Sequence, residues 1–366
     1  MPDIILGDDV KDIYVAKLAQ GILLGLRSRL LFPKIGFADY SDEVKEQGES
    51  VLVGVAGKFT GVHQSPDVEV PLQKSGISKR SIVLNKYLPC DFLVKDVAQA
   101  ISGTNLVQTF SQSAVDAIAT SVDGTFADLF DSTYYAGAGT ITATATSAAI
   151  VGVGTDFTRI GAGCLLKTAG GQIRTVLSVT DATHLTLTAV ITDTEAAVAY
   201  SLSNIVNYAN GTAFGDGAML AAEKMLTLHN VPDNSRVLVA NVDDYSDLLS
   251  ETKYIGASSI NAAMLRQGAL GEIRGFSTYR NNNKIKSYSL GMSPDCVGFA
   301  FRPLKVPDDV AYITSKVVTD PETGIGMRFT LSYDAANRGI RTSIDVLYGA
   351  SLFFGERTVK IIEAAA

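Results

Sequence analysis

Apolar residues recur at three- and four-residue spacing over residues 105–135 (Val107, Phe110, Ala114, Ile118, Val122, Phe126, Leu129 and Phe130), which predicts one amphipathic helix. At ~1.5 Å of rise per residue such a helix spans roughly 45 Å, enough to cross a domain and act as its spine. The only charges along it are Asp116, Asp123, Asp128 and Asp131, so any partner cations must come from elsewhere. Gly124, in mid-pattern, marks a bend or a close backbone approach, or simply a helix weakened by about 1 kcal/mol.

A second helical pattern runs over residues 9–31 (Val10, Ile13, Tyr14, Leu18, Ile22, Leu26, Leu30), with Asp8 or Asp9 as its cap and Pro33 as its stop. Between residues 50 and 94 the period changes to two. Val51, Val53 and Val55, then Val68, Val70 and Leu72, then Ile82 and Leu84 read as strands of a long hairpin. Its middle, GKFTGVHQSPDVEV, lacks an apolar face, so the hairpin is expected to project and to need another subunit to lie on.

Residues 137–203 shift abruptly to Thr, Ala, Val and Gly. TITATA, AAIVGVGT, IRTVLSV and HLTLTAV predict short strands of a small inserted β-domain, with turns at Gly152, Gly170, Gly171 and Asp181. A helix capped by Asp216 follows, then the strand RVLVA, a helix opened by Asp243, Asp244 and Asp247, and strands near residues 276–279, 296–301, 327–333, 340–348 and 359–362. The fold class is α+β.

Composition narrows the function. With 366 residues, 46% hydrophobic and only 19% charged, the chain fills a large core and leaves surface for partners. A net charge of -7 argues against gripping nucleic acid by counterion release. No apolar run reaches the ~18 residues of a membrane span, the acidic N-terminus is unlike a secretory signal, and Cys90, Cys164 and Cys296 lack metal-like spacing. A non-membrane protein of a reducing cytoplasm is expected.

No GxSxG elbow, phosphate loop, HExxH or paired CxxC occurs, and His63, His184 and His229 are scattered. Asp243, Asp244 and Asp247 admit a metal site, but a helix start accounts for the same carboxylates. No catalytic set, cofactor or metal is expected.

The segments LHNVPDNSRVLVANVDDYSDLL, GALGEIRGFSTYRNNN, DCVGFAFRPLKVPDD and RTSIDVLYGASLFFGERTVKI, in this order after the hairpin and spine, resemble the major capsid protein of a tailed bacteriophage with the Hong Kong 97 fold. The resemblance covers nearly everything except the insertion; GVGTDFT and SVTDATHLTL resemble a β-module of other phage virion proteins. It implies an N-terminal arm at 1–40, an extended hairpin loop at 41–90, a peripheral domain with the spine at 91–136, the inserted β-domain at 137–203, an axial domain with peripheral returns at 204–324, and closing strands at 325–366.

It further implies hexamers and pentamers of an icosahedral shell around double-stranded DNA, a portal, a separate scaffolding protein and a possible decoration protein. Lys17, Arg27, Arg29, Lys58, Phe59, His63, Asp116 and Asp123 are the expected intersubunit contacts, and Gly124 the expected hinge. A nanocompartment shell shares the fold, and a surface adhesin with a carbohydrate-binding insertion is a reading of another class. One branch of the family joins subunits covalently; Lys58, Lys74 or Lys79 with Asn337 and Glu356 would be needed here, but no motif selects them.

Overall fold

The computed structural model describes residues 7–35, 37–44, 48–56, 63, 76–102, 105–255, 270–283, 286–305, 313–320 and 324–364. Its helices are α1 (Gly7–Arg29), α2 (Asp96–Ser102), α3 (Leu106–Leu129), α4 (Asp216–Leu228), α5 (Val242–Ser250) and α6 (Thr252–Ile255). The chain divides into two units, and α3 runs through both, contributing its residues up to Ile118 to the first and those from Ala119 to the second.

In the first unit a sheet takes the order Ala38–Asp39, Val297–Arg302, Gly339–Leu352, Gly326–Asp334, Ile313–Thr319, and Lys86–Lys95 also pairs with Gly339–Leu352. That last pairing runs from Gly339 opposite Lys95 to Tyr348 opposite Lys86. No strand was expected over this stretch, where Pro89 and Asp91 interrupt the alternation. Pro89 donates no ladder hydrogen bond, yet a strand with one partner tolerates it. Arg328 donates to the buried Asp345 through Nε at 3.0 Å, and the Tyr87 hydroxyl donates to the same carboxylate at 2.9 Å.

The expected hairpin forms from Ser50–Ala56 and Ile77–Val83, antiparallel from Ser50 opposite Val83 to Ala56 opposite Ile77. Val51 and Ile82 are buried at its base, whereas Leu52 and Ile77 are 65% and 72% exposed. Val68, Val70 and Leu72 lie outside the described residues. At Gly349 a Cβ would sit 2.1 Å from the Val83 carbonyl oxygen, so only glycine lets these backbones approach.

In the second unit a six-stranded sheet runs Ile205–Tyr208, Thr358–Glu363, Tyr288–Met292, Arg236–Ala240, Phe276–Arg280, Glu272–Ile273. All five residues of RVLVA are buried, the apolar run 237–240 together with the charged Arg236. Arg236 donates from Nη2 to the Val231 carbonyl at 2.6 Å and to Thr227 Oγ1 at 3.0 Å, placing its charge at the C-terminal end of α4, where the helix dipole favours it.

The inserted stretch forms one eight-stranded sheet in the order Glu195–Val198, Thr140–Ala143, Ala149–Val153, His184–Leu187, Ile173–Val179, Leu165–Thr168, Tyr200–Ser203, Tyr135–Ala136. Three four-residue strands at 165–168, 195–198 and 200–203 escaped the sequence reading, being too short to display a period. Its interior, including Ile141, Phe157, Cys164 and Leu202, is continuous with that of α4 and the six-stranded sheet.

Two further expectations change. The spine ends at Leu129 rather than Tyr135, which instead opens the eight-stranded sheet. Asp216 is not the cap of α4: Gly215 takes that position, and Asp216 is the first helical residue.

Candidate functional site: surfaces along the spine helix

The spine starts where Asn105 accepts the Gln108 amide at 3.3 Å and the Gln99 side chain accepts the Leu106 amide at 3.2 Å. Its four aspartates meet four different fates. Asp116 pairs with Arg29, which also donates to the Gln112 carbonyl at 3.1 Å. Asp128 and Asp131 share Lys286, whose Nζ lies 2.7 Å from both. Burial works against the Lys286 charge, yet the two carboxylates hold its pKa above the ordinary lysine value.

Asp123 is fully buried, so its expected role as an intersubunit contact is corrected. It accepts the Leu31 and Phe32 amides at 2.9 and 3.1 Å, and the Asn283 side-chain amide. These are the leading backbone donors of the 3-10 turn Phe32–Ile35 that follows α1, which have no acceptor within the turn, and an acceptor built into the spine satisfies them. Desolvation raises the Asp123 pKa, with the Leu31, Asn283 and Phe32 donors and Lys34 pulling the other way. Beside it Phe32 stacks on Phe126 and Phe130 with centroids 6.1 and 6.2 Å apart.

Just past the other end of the spine, Asp131 is held by the six-stranded sheet. Lys360 Nζ donates to the Asp131 carbonyl at 2.6 Å, and the Tyr288 hydroxyl donates to the Asp131 carboxylate at 2.8 Å. Gly124 is buried within unbroken helix.

Of the other expected contacts, Lys17 and His63 are exposed, while the Arg27 side chain, Lys58 and Phe59 lie outside the described residues. The sequence reading missed α2, which buries none of its residues: Val97 and Ile101, one turn apart, are 69% and 80% exposed. Phe110 on α3 is 44% exposed and meets Phe92 edge-on at 6.0 Å. With the outer face of the hairpin, these are apolar surfaces with no cover from their own unit, which is unusual at this exposure. A seven-residue helix spans two turns, too few for a period to register.

The same residues offer little chemistry. Among the described residues no group of three or more His, Cys, Asp or Glu is placed to hold a metal. His184 pairs with Asp181 in an exposed turn, and His229 Nε2 lies 3.3 Å from the Tyr135 hydroxyl. Burial pushes the thiols of Cys90, Cys164 and Cys296 upward, leaving them protonated and poorly nucleophilic. Among the described residues, no helix is long and apolar enough to cross a membrane.

No family model and no curated protein matches the sequence. Solved structures do. A structure of Mycobacterium phage Che8 matches with a TM-score of 0.53 at 15% identity, over 91% of this chain and 90% of that chain. The capsid structure of the cyanophage P-SCSP1u matches with a TM-score of 0.54 at 11% identity, over 90% of this chain and 87% of that chain. At these identities the likeness is one of fold, and it extends over nearly the whole of both chains.

Proposed function

We propose that this chain, whose fold is that of phage capsid structures, is the major shell subunit of a tailed bacteriophage, self-assembling into hexamers and pentamers of an icosahedral shell that encloses double-stranded DNA. The observation that carries the reading is the end-to-end match to the capsid structure of the cyanophage P-SCSP1u. The exposed surface supports it: Leu52, Ile77, Val97 and Ile101 lie on elements with no core of their own, and a lattice of subunits supplies the missing cover.

The role is structural and not enzymatic. An acidic subunit of net charge -7 suits a wall along which packaged DNA slides. A separate scaffolding protein, a portal and a decoration protein complete the expected partners. The site of action is the virion, with assembly in the bacterial cytoplasm. In this reading Gly124 is the position where the spine changes curvature as the shell matures.

The test is electron microscopy of the expressed chain, alone and with its phage's scaffolding protein. Closed shells of uniform size are expected, and particles from infected cells are expected to hold DNA. A chain that stays monomeric under both conditions refutes the shell; particles filled with a protein cargo would make it a nanocompartment instead.

A further inference from the structure

Along α1 the residues Lys17, Gly21, Gly25 and Arg29 repeat at every fourth position, forming one ridge of the helix surface. Its two middle positions carry no side chain. Facing it from α3 stand Gln108, Ser111, Gln112 and Val115, and the two helices enclose a trough of 440 Å³. Leu18, Ile22 and Val115 give it an apolar floor. A Cβ at Gly21 would meet no atom within 4 Å, and at Gly25 the nearest is Val115 Cγ1 at 3.6 Å, so the notch is open space.

Leu24, beside the notch, is 64% exposed. The Ser111 hydroxyl in the floor already donates to the Val107 carbonyl at 2.7 Å and makes no demand on an occupant. One end is cationic, where Lys17 is exposed with no ion pair among the described residues; at the other end Arg29 lines the trough and is partly neutralised by Asp116. From Lys17 to Arg29 the trough extends roughly 18 Å, about three helical turns.

We propose that this trough is the docking site for an acidic amphipathic helix of a partner protein. Its apolar side chains, spaced at three and four residues, fill the notch over Gly21 and Gly25, and its carboxylates reach Lys17 and Arg29. The charge selects the occupant. On a chain of net charge -7, the α1 stretch from Lys17 to Arg29 has three cations and no acid, and α3 sets one carboxylate against them, Asp116 at Arg29, so a cationic excess remains that draws an acidic helix. A second copy of α1 would bring the same cations against themselves, and a DNA backbone would gain nothing from an apolar floor. The proposal stands apart from the shell reading, since the trough belongs to a single chain.

The experiment uses unassembled full-length chain and three labelled probes: a synthetic helix with leucines at three- and four-residue spacing and glutamates between, the same peptide with lysines for glutamates, and a short DNA duplex. Anisotropy should report salt-sensitive binding of the glutamate helix, tighter than the other two probes by about tenfold or more. Gly21→Leu, which fills open space, should weaken that binding at least about tenfold while leaving the circular dichroism melt intact, and the surface change Lys17→Glu should do the same. No binding of the glutamate helix, equal binding to both variants, or equal binding of the lysine helix or duplex would overturn the proposal.

Discussion

Asp123 shows how a single position can look like surface in a sequence and be core in a fold. Its carboxylate meets two backbone donors that have no other helical partner, so Asp123→Ala strands them in an apolar setting. The expected loss is about 2–4 kcal/mol in urea unfolding; a loss below about 1 kcal/mol would mean that water replaces the carboxylate. Asp216 is the opposite electrostatic case. Arg274 approaches it through Nε and Nη2 at 2.5 and 2.8 Å, with Tyr254 and Lys253 at 2.8 and 3.0 Å. Arg274 holds φ +49° and Gly275 φ +74° in a two-residue hairpin turn, so a left-handed arginine is kept in place by the ion pair it makes.

The Arg274 hydrogen bonds, ahead of those from Tyr254 and Lys253, hold the Asp216 pKa far below the usual carboxylate range. A depressed folded-state pKa stabilises the protein above the unfolded value of roughly 3.9, and that contribution fades as pH falls toward the folded value. The stability difference between wild type and Asp216→Asn should therefore be constant near neutrality and shrink only in acid. A difference that grows on acidification would contradict the assignment.

Among elements, the spine is the best defined by sequence and the most altered by context. Its C-terminal turn is held by Lys286, Tyr288 and Lys360, all reaching from the six-stranded sheet. Lys286→Met removes the cation shared by two half-exposed carboxylates and should lower stability by about 1–2 kcal/mol, less in high salt. An unchanged denaturation midpoint would make the pairing incidental.

The inserted sheet is likewise more attached than its composition suggests. Cys164 Sγ lies 4.0 Å from Met225 Sδ on α4, and a Cβ at Gly161 would come within 2.5 Å of the Met225 terminal methyl. Two polar joints sit at its roots: the Tyr135 hydroxyl donates to Asn204 at 2.8 Å, and the Asn204 amide donates to the Glu356 carbonyl at 3.1 Å. Joining Ala136 to Asn204 should yield a folded but less soluble chain, because α4 loses part of its cover. Met225→Gln in that background should recover soluble yield; a deletion already as soluble and as stable as the full chain would mean the shared core contributes nothing.

For the whole molecule the expectation is a shell held without covalent bonds. Boiled particles in a denaturing gel should run as one band at monomer mass, and a ladder would establish cross-linking. Shortening the hairpin between Ala56 and Ile77 should leave a folded monomer that fails to close, since among the described residues only its base is buried. Normal particles from that variant would remove the hairpin from assembly.

The sequence alone determined the elements whose period is long. The spine and α1 appear because many apolar residues at helical spacing outvote any single exception, and the closing strands because each alternates or stays apolar for five residues or more. It also determined the fold class, the separate β-rich character of 137–203 and the lack of catalytic motifs. Only the tertiary structure decided what the charges do. Asp116, Asp123, Asp128 and Asp131 look alike in the sequence, and their fates depend on Arg29, on the Leu31 and Phe32 amides and on Lys286, groups brought in from distant parts of the chain. The notch on α1 was hidden for the same reason: two glycines read as weak helix formers until α3 stands opposite them, and a cavity is a property of two surfaces that no single segment encodes.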